Sequence, residues 1–327
     1  MSILEAVSSL RSVLTAASGL ALFLLGIRLV SLAVRHAGER RIRRHFESLR
    51  PRKGGEWIGL GVGALVTGLF QSSSLVTAML MGMVHSGMLS YEQAVGLVLG
   101  ANVGTTFTVQ LISLPHRLPL EWIALGGVFC GAMGLATGSK RLGLAGFLAT
   151  GFGSVLLGFE LMGEGIRLLS SSGLIPSLSS FGGNTVKAIA AGGLLAGVIQ
   201  SSSASMAILV SSARSGLVDL PTALGFMLGT NIGTCSDSLI LGIITGREAR
   251  RLALFNFVFN LAGALVFIPL LGPFEALVRL TSSDVGNQLA NAHTAFNGMT
   301  AVGAVPFLEG INRVMYRLLP RGNSRPP

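Results

Sequence analysis

A stretch of 43 residues, Gly63–Thr105, recurs without gaps as Gly192–Thr234 at a constant offset of 129, and 18 of the 43 pairs are identical. Composition alone would give about three such identities, so the chain is built from two copies of one unit. The shared skeleton pairs Gln71-Ser72-Ser73-Ser74 with Gln200-Ser201-Ser202-Ser203 and Ser86-Gly87 with Ser215-Gly216. It ends by pairing Gly100-x-Asn102-x-Gly104-Thr105 with Gly229-x-Asn231-x-Gly233-Thr234. A preceding segment is duplicated as well: Gly19–Ser31 resembles Gly151–Gly163, with Leu-Leu-Gly shortly before Arg28 and Glu160.

Each copy lies in apolar sequence. Half the residues are hydrophobic and 12% are charged, against about 25% in soluble domains. Val13–Val34, Trp57–Val84, Trp122–Gly138 and Leu252–Leu271 are apolar runs on the scale of the roughly 20 residues that cross a bilayer. The 45 glycines suit close helix packing and broken helices in lipid. An all-α polytopic membrane protein is expected, in the plasma membrane (a bacterial inner membrane). The net charge of +10 comes from Lys and Arg in short loops, as the positive-inside rule expects, and excludes a nucleic-acid partner rather than suggesting one. Cys130 and Cys235 lie in apolar segments, which gives no disulfide framework or zinc site. The first span has no clear small-residue cleavage site and reads as retained.

Loop charges set the expected topology. Arg35–Lys53 holds eight Lys and Arg and is expected in the cytoplasm. Repeat 1 is expected over 1–138: a spanning helix, this basic loop, a re-entrant hairpin at 54–88, an unwound helix at 94–112 and a helix at 121–138. Repeat 2 is expected over 142–310, with a helix at 142–169, a hairpin at 187–214, an unwound helix at 222–245, and helices at 250–271 and 288–308. A basic tail, 311–327, then lies in the cytoplasm. This arrangement puts 17 basic residues inside and six outside, with Arg28 in a span. The two copies thereby acquire opposite orientation. Inverted repeats are typical of secondary transporters, whose substrate site lies near the midplane at the repeat interface. The blander alternative is a helical scaffold with a duplicated packing motif. The charge count supports orientation only, because fully spanning hairpin arms would end on the same sides.

Four consecutive polar residues in an uncharged apolar stretch are costly in hydrocarbon unless they line a cavity or pair with one another. Gly68 and Gly197, just ahead of each Gln-Ser-Ser-Ser, are expected to permit a sharp reversal, leaving Ser72–Ser74 and Ser201–Ser203 at the start of a second half-helix. Serine caps such an end, and its exposed amides and dipole favour an anion. The Gly-x-Asn-x-Gly-Thr elements suggest local unwinding that frees carbonyls for a cation, with Thr105, Thr106 and Thr234 opening a new half-helix. The alternative is a glycine-lined helix crossing with Asn as an interhelical hydrogen bonder. Trp57–Val84, Ala188–Ala213 and Ala94–Pro115 carry no charge, and Ala223–Thr245 carries only Asp237. A neutral cradle cannot balance an oxyanion in low dielectric, so co-bound hard cations such as Na⁺ are expected. Candidate cation ligands are Ser73, Ser74, Asn102, Thr106, Ser202, Ser203, Asn231 and Asp237. Asp237 serves as a cation or proton site, or as a paired structural carboxylate. Arg28, Glu160 and Glu164 read as interfacial or packing charges, and His293 as a residue pinning a scaffold helix or as a direct ligand.

These paired motifs resemble the type II sodium–phosphate cotransporter family, in its bacterial branch without the PhoU-like C-terminal domain. The likeness runs from about Gly19 to Gly310, including Leu252–Pro269 and Asn291–Pro306 with their Phe-Asn pairs. The resemblance implies that hairpin tips and unwound helices hold phosphate and Na⁺ and that a transport domain moves elevator-fashion. It places Gln71, Ser72, Ser73, Ser74, Gln200, Ser201, Ser202, Ser203, Asn102, Thr105, Asn231 and Thr234 around phosphate. Asp237 stands where a small polar residue is usual, and the acid that some relatives carry after the first unwound helix has no counterpart near Ile112–Pro119. The expected function is Na⁺-coupled phosphate symport, with Na⁺ as the co-transported ion. Phosphate, the bilayer and a second copy of the chain in a homodimer complete the expected partners. Alternatives are carriage or export of another small oxyanion or carboxylate and, more remotely, an anion channel. An enzyme is not expected: there is no Gly-x-Ser-x-Gly elbow, and no His accompanies either serine motif.

Overall fold

A computed structural model of the chain describes residues 3–47, 54–113, 120–171 and 184–320. Within them every regular element is helical. The first copy comprises α1 (Ile3–Glu47), α2 (Gly55–Phe70), α3 (Ser73–His85), α4 (Tyr91–Ser113) and α5 (Leu120–Thr137). The second comprises α6 (Lys140–Ser171), α7 (Thr185–Ile199), α8 (Ser202–Arg214), α9 (Leu220–Gly233) and α10 (Cys235–Thr245). There follow α11 (Arg247–Phe267), a 3₁₀ turn (Ile268–Leu270), α12 (Leu271–Arg279), α13 (Val285–Ala304), a second 3₁₀ turn (Val305–Phe307) and α14 (Leu308–Leu318).

Five helical runs are long and apolar enough to cross a membrane: Ser9–Val34, Tyr91–Ser113, Lys140–Ser171, Leu220–Thr245 and Arg247–Arg279. The arms α2, α3, α7 and α8 have 16, 13, 15 and 13 residues. At about 1.5 Å per residue they reach about 20–24 Å, short of the roughly 30 Å of hydrocarbon. Helix α1 is longer than expected: it runs on through Arg35 to Glu47 where a loop was anticipated. Residues 48–53, 114–119 and 321–327, and with them parts of the expected basic loop and tail, lie outside the described residues.

The two copies pack alike internally, α2 along α4 and α7 along α9. They also contact each other, since α1 lies along α6, α3 meets α10 and α4 meets α8. The last third of the chain holds a second duplication. In each half of it a long helix ends in a 3₁₀ turn containing proline (Pro269, Pro306) and continues as a short amphipathic helix, α12 or α14. An offset of 37 superposes Phe259-Asn260 on Phe296-Asn297 and Pro269 on Pro306. The packing is reciprocal: α12 lies on α13, α14 lies on α11, α11 contacts α3 and α13 contacts α8. Two hydrophobic clusters result. One joins α3 and α4 to α11 and α14 through Leu80, Leu97, Phe255 and Met315; the other joins α8 and α9 to α12 and α13 through Met206, Leu228, Phe274 and Phe296.

Two arginines, one buried and one partly exposed, fasten the ends of these assemblies. Arg251 is fully buried, donates from Nε to the Leu319 carbonyl at 2.9 Å, pairs with Glu248 and lies 4.2 Å from the Tyr316 ring centre. Arg214, at the end of α8, donates from Nη2 to the Ser113 carbonyl at 2.9 Å and to Asp284 at 2.8 Å. Burial works against ionisation of Asp284, yet hydrogen bonds from Arg214 and from the Asn287 and Gly286 amides hold its carboxyl below the usual carboxylate range.

Candidate transport site at the paired helix tips

The chain reverses at the glutamines and not at the glycines ahead of them. Gln71 and Gln200 have φ of 56° and 53°, and among the described residues they are the only non-glycines in the left-handed region. Gly68 and Gly197 sit inside α2 and α7. The αL conformation at a helix C-terminus ends it cleanly, and each Gln amide closes back on its own helix, to Thr67 O at 2.7 Å and Ala196 O at 2.8 Å. The next residue caps the following helix. Ser72 Oγ accepts from Leu75 N at 3.3 Å, and Ser201 Oγ accepts from Ala204 N at 3.2 Å. Each cap satisfies one amide of the first turn and leaves those of Ser73 and Ser74, or Ser202 and Ser203, with no intrahelical acceptor. Two helix N-termini thus carry first-turn amides without intrahelical acceptors, an arrangement suited to an anion.

The two tips differ in detail. Gln71 is buried: its Oε1 accepts from Thr108 at 2.9 Å and its Nε2 donates to Gly68 O at 3.1 Å. Gln200 is exposed. Ser202 and Ser203 are buried, whereas Ser72, Ser73, Ser74 and Ser201 are partly exposed.

The expected unwinding at Gly-x-Asn-x-Gly-Thr is absent from the first copy, where α4 is helical throughout Tyr91–Ser113. In the second copy the helix breaks only at Thr234, between α9 and α10. The glycines serve close approach instead. A Cβ on Gly100 would lie 2.1 Å from Leu60 O, and one on Gly229 would lie 2.0 Å from Ile189 O. The hairpin's first arm is thus pressed onto the motif helix, backbone to backbone, in both copies. Thr105, Thr106 and Thr234 turn their hydroxyls to carbonyls of their own helices, at Ala101, Val103 and Thr230. Thr105 and Thr106 therefore open no half-helix, whereas Thr234 stands at the break from which α10 starts.

Asn102 and Asn231 occupy equivalent places, donating to Val98 O at 3.2 Å and Met227 O at 3.0 Å. Asn102 also donates to Asn256 Oδ1 at 3.0 Å, and Asn260 Nδ2 lies 3.4 Å from Cys235 Sγ and 3.2 Å from Asn256 Oδ1. A buried polar network thus joins α4, α10 and α11. Asp237, in the first turn of α10, accepts from Ser238 N, and α10 packs against α3, which carries Ser74 of the opposite repeat. The structure therefore unites the first tip with the second broken helix. It records no comparable side-chain bond between Gln200 and the first repeat. Thr108, Asn256 and Asn260 were not singled out as site residues, although the Phe-Asn spacing of four in α11 marks one polar stripe on an apolar helix. Among the described residues no three His, Cys, Asp or Glu side chains converge.

A sequence profile for Na⁺/Pi-cotransporters matches the chain twice, over residues 22–164 and 155–303. The chain belongs to that family. Among curated members it is 28% identical over 265 residues to the uncharacterized protein YqeW of Bacillus subtilis, covering 79% of this chain and 83% of that one. It is 27% identical over 263 residues to the putative inorganic phosphate export protein YjbB of Salmonella typhimurium. That match covers 80% of this chain but 47% of the relative, so the chain spans about half the length of that protein. A segment of 56 residues is 45% identical to sodium-dependent phosphate transport protein 2A of Oryctolagus cuniculus, 17% of this chain and 9% of that one. No solved structure matches. The double match of the family profile accords with the duplication at offset 129.

Proposed function

We propose that this family member carries inorganic phosphate through the membrane together with Na⁺, at a site between two oppositely oriented hairpin tips. The observation that carries the reading is the repeated tip: a left-handed glutamine, a capping serine and a half-helix N-terminus, built twice in uncharged stretches of the chain. Phosphate is held by the amides and hydroxyls of Gln71–Ser74 and Gln200–Ser203, with Asn102, Thr105, Asn231 and Thr234 behind them. Hydroxyls donate to the anion and accept from the cation, so one set of residues serves both. Asp237 contributes the negative charge that the rest of the cradle lacks, from α10, which packs against the helix that carries Ser74. Arms too short to span support hairpins that enter and leave on one side, and the loop charges support their inversion. Movement of the hairpin-bearing core against the α1–α5–α6 group as an elevator completes the proposal. The names of the relatives bring phosphate to this chain, and one of them brings sodium. The direction follows the ion gradients, and the exporter name of one relative makes efflux as natural a result as uptake.

The test is ³²P-phosphate flux in proteoliposomes with and without a Na⁺ gradient, for the wild type, Ser73→Ala and Ser202→Ala. Loss of flux in both variants is expected. Flux indifferent to Na⁺ would remove the coupling, and sulfate or a carboxylate outcompeting phosphate would change the substrate.

A further inference from the structure

His293 is fully buried in α13, and neither of its ring nitrogens has a hydrogen-bond partner. One turn on, Asn297 is also buried, and its Oδ1 has no partner. Leaving such groups unpaired in a low-dielectric interior is costly, and three such atoms stand within one turn of α13.

The duplication in the last third of the chain indicates where that partner belongs. With the offset of 37, His293 is equivalent to Asn256 and Asn297 to Asn260. The equivalence extends to hydrogen bonds: Asn260 Nδ2 donates to Asn256 O at 2.9 Å, and Asn297 Nδ2 donates to His293 O at 2.9 Å. In the first member of the pair, Asn256 and Asn260 engage Asn102, the motif asparagine of the first repeat. The corresponding asparagine of the second repeat, Asn231, donates only to its own helix. Helix α13 packs against α4, α8 and α9, which carry the motif residues of both repeats. Its Asn291 and Thr294, on a neighbouring stripe, already receive Gln110 of α4 at 3.0 and 2.9 Å. The first half ties its pair to Asn102 and leaves Asn260 Oδ1 unpartnered, whereas the second half has the same scaffold with both His293 ring nitrogens open as well as Asn297 Oδ1.

We propose that His293 and Asn297 form a donor–acceptor pair that binds a protonated oxyanion and selects it over one without a proton. An imidazole has an N–H on one nitrogen and a lone pair on the other, and an amide oxygen can only accept. Hydrogen phosphate satisfies both: its P–O⁻ oxygens take the imidazole N–H, and its P–OH donates to Asn297 Oδ1. Sulfate has no proton at neutral pH and would leave the amide oxygen buried and unpaired. Sites built to bind a substrate hydroxyl reject analogues lacking it far more strongly than apolar pockets discriminate by size. The proposal rests on the phosphate reading above and assigns that site its chemical selectivity.

The test uses full-length protein in proteoliposomes, measuring the phosphate KM and the concentration of sulfate that halves phosphate flux. His293→Asn, which copies the residue of the sister helix, and Asn297→Leu, which keeps the volume, are compared with the wild type. Thermal unfolding in detergent monitors folding. The expected result is a phosphate KM raised at least tenfold in Asn297→Leu, with sulfate inhibiting that variant at nearly the same concentration as phosphate. His293→Asn retains an amide donor and should lie between it and the wild type. Folded variants with unchanged phosphate KM and unchanged sulfate discrimination would overturn the proposal and leave the pair holding internal water only. Should Asn297→Leu fail to fold, an unchanged KM and sulfate discrimination in His293→Asn overturns it equally. Absence of phosphate flux in the wild type would count against the transport reading instead, which separates the two failures.

Discussion

At the scale of single residues, the left-handed glutamines are the clearest sign that function and not folding chose the side chain. A non-glycine residue in that region costs on the order of 1 kcal/mol, which glycine avoids. Gln200→Gly should therefore raise thermal stability by up to about 1 kcal/mol while reducing phosphate flux, measured by unfolding and uptake on one preparation. Gln71→Gly should show no such gain, because it also removes the buried bond from Thr108. A gain in stability with full flux at Gln200 would show that the side chain is dispensable. Asp237→Asn keeps an acceptor for Ser238 N and removes the charge; the Na⁺ concentration for half-maximal flux should rise at least tenfold, with a smaller effect on phosphate. The reverse pattern would take Asp237 out of the cation site. Much of this scale was legible beforehand. The serine caps followed from Ser after a helix end, and Asp237 from its isolation in an apolar stretch. The reversal point was misplaced because glycine is the cheapest residue for a positive φ, and nothing local says that glutamine has taken the position instead.

At the scale of elements, glycine spacing was readable and its purpose was not. A Gly-x-Asn-x-Gly run is compatible with an opened helix and with a helix that lets another touch its backbone. What decides is the partner surface at Leu60–Ala64 or Ile189–Gly193, some forty residues earlier in the chain. Gly100→Ala should therefore destabilise the protein by about 1–3 kcal/mol by forcing α2 from α4, whereas Gly61→Ala, with open space around it, should be neutral or slightly stabilising. Comparable unfolding temperatures for the two variants would contradict the backbone contact. The α11–α13 duplication escaped notice for another reason: only five of seventeen pairs match between Ala253–Pro269 and Ala290–Pro306, and the likeness lies in the Phe-Asn and proline positions. The Arg214–Asp284 clamp between α8 and α13 carries a pH signature. Asp284 titrates below its ordinary range when folded, so the clamp's contribution is complete above the ordinary carboxylate value of about 4 and is lost as pH falls through the lower folded value. Because both partners are partly exposed, that contribution is at most about 1 kcal/mol. Acid unfolding of Asp284→Asn should lack this component, and an identical acid limb would dismiss the clamp.

For the whole molecule, the duplication at offset 129 was readable in the sequence, and the family profile matches the chain twice. The duplication did not give the arrangement by which the last four helices are shared between the two copies. Conformational exchange of the core can be followed at Cys235, buried beneath Asn260, while Cys130 is partly exposed on α5. In a Cys130→Ser background, a water-soluble maleimide should modify Cys235 slowly at rest and faster when Na⁺ and phosphate are both supplied. Labelling at one constant rate under all conditions would indicate a core that stays closed. The reciprocal packing of α12 on α13 and α14 on α11 has a further consequence, for the order in which the protein is made. The first hairpin leaves the ribosome before the helices that cover it, α11 and α14, which are synthesised only after the whole second copy. The first hairpin must wait in the membrane, its apolar face lent to lipid, until α11 and α14 arrive to cover it.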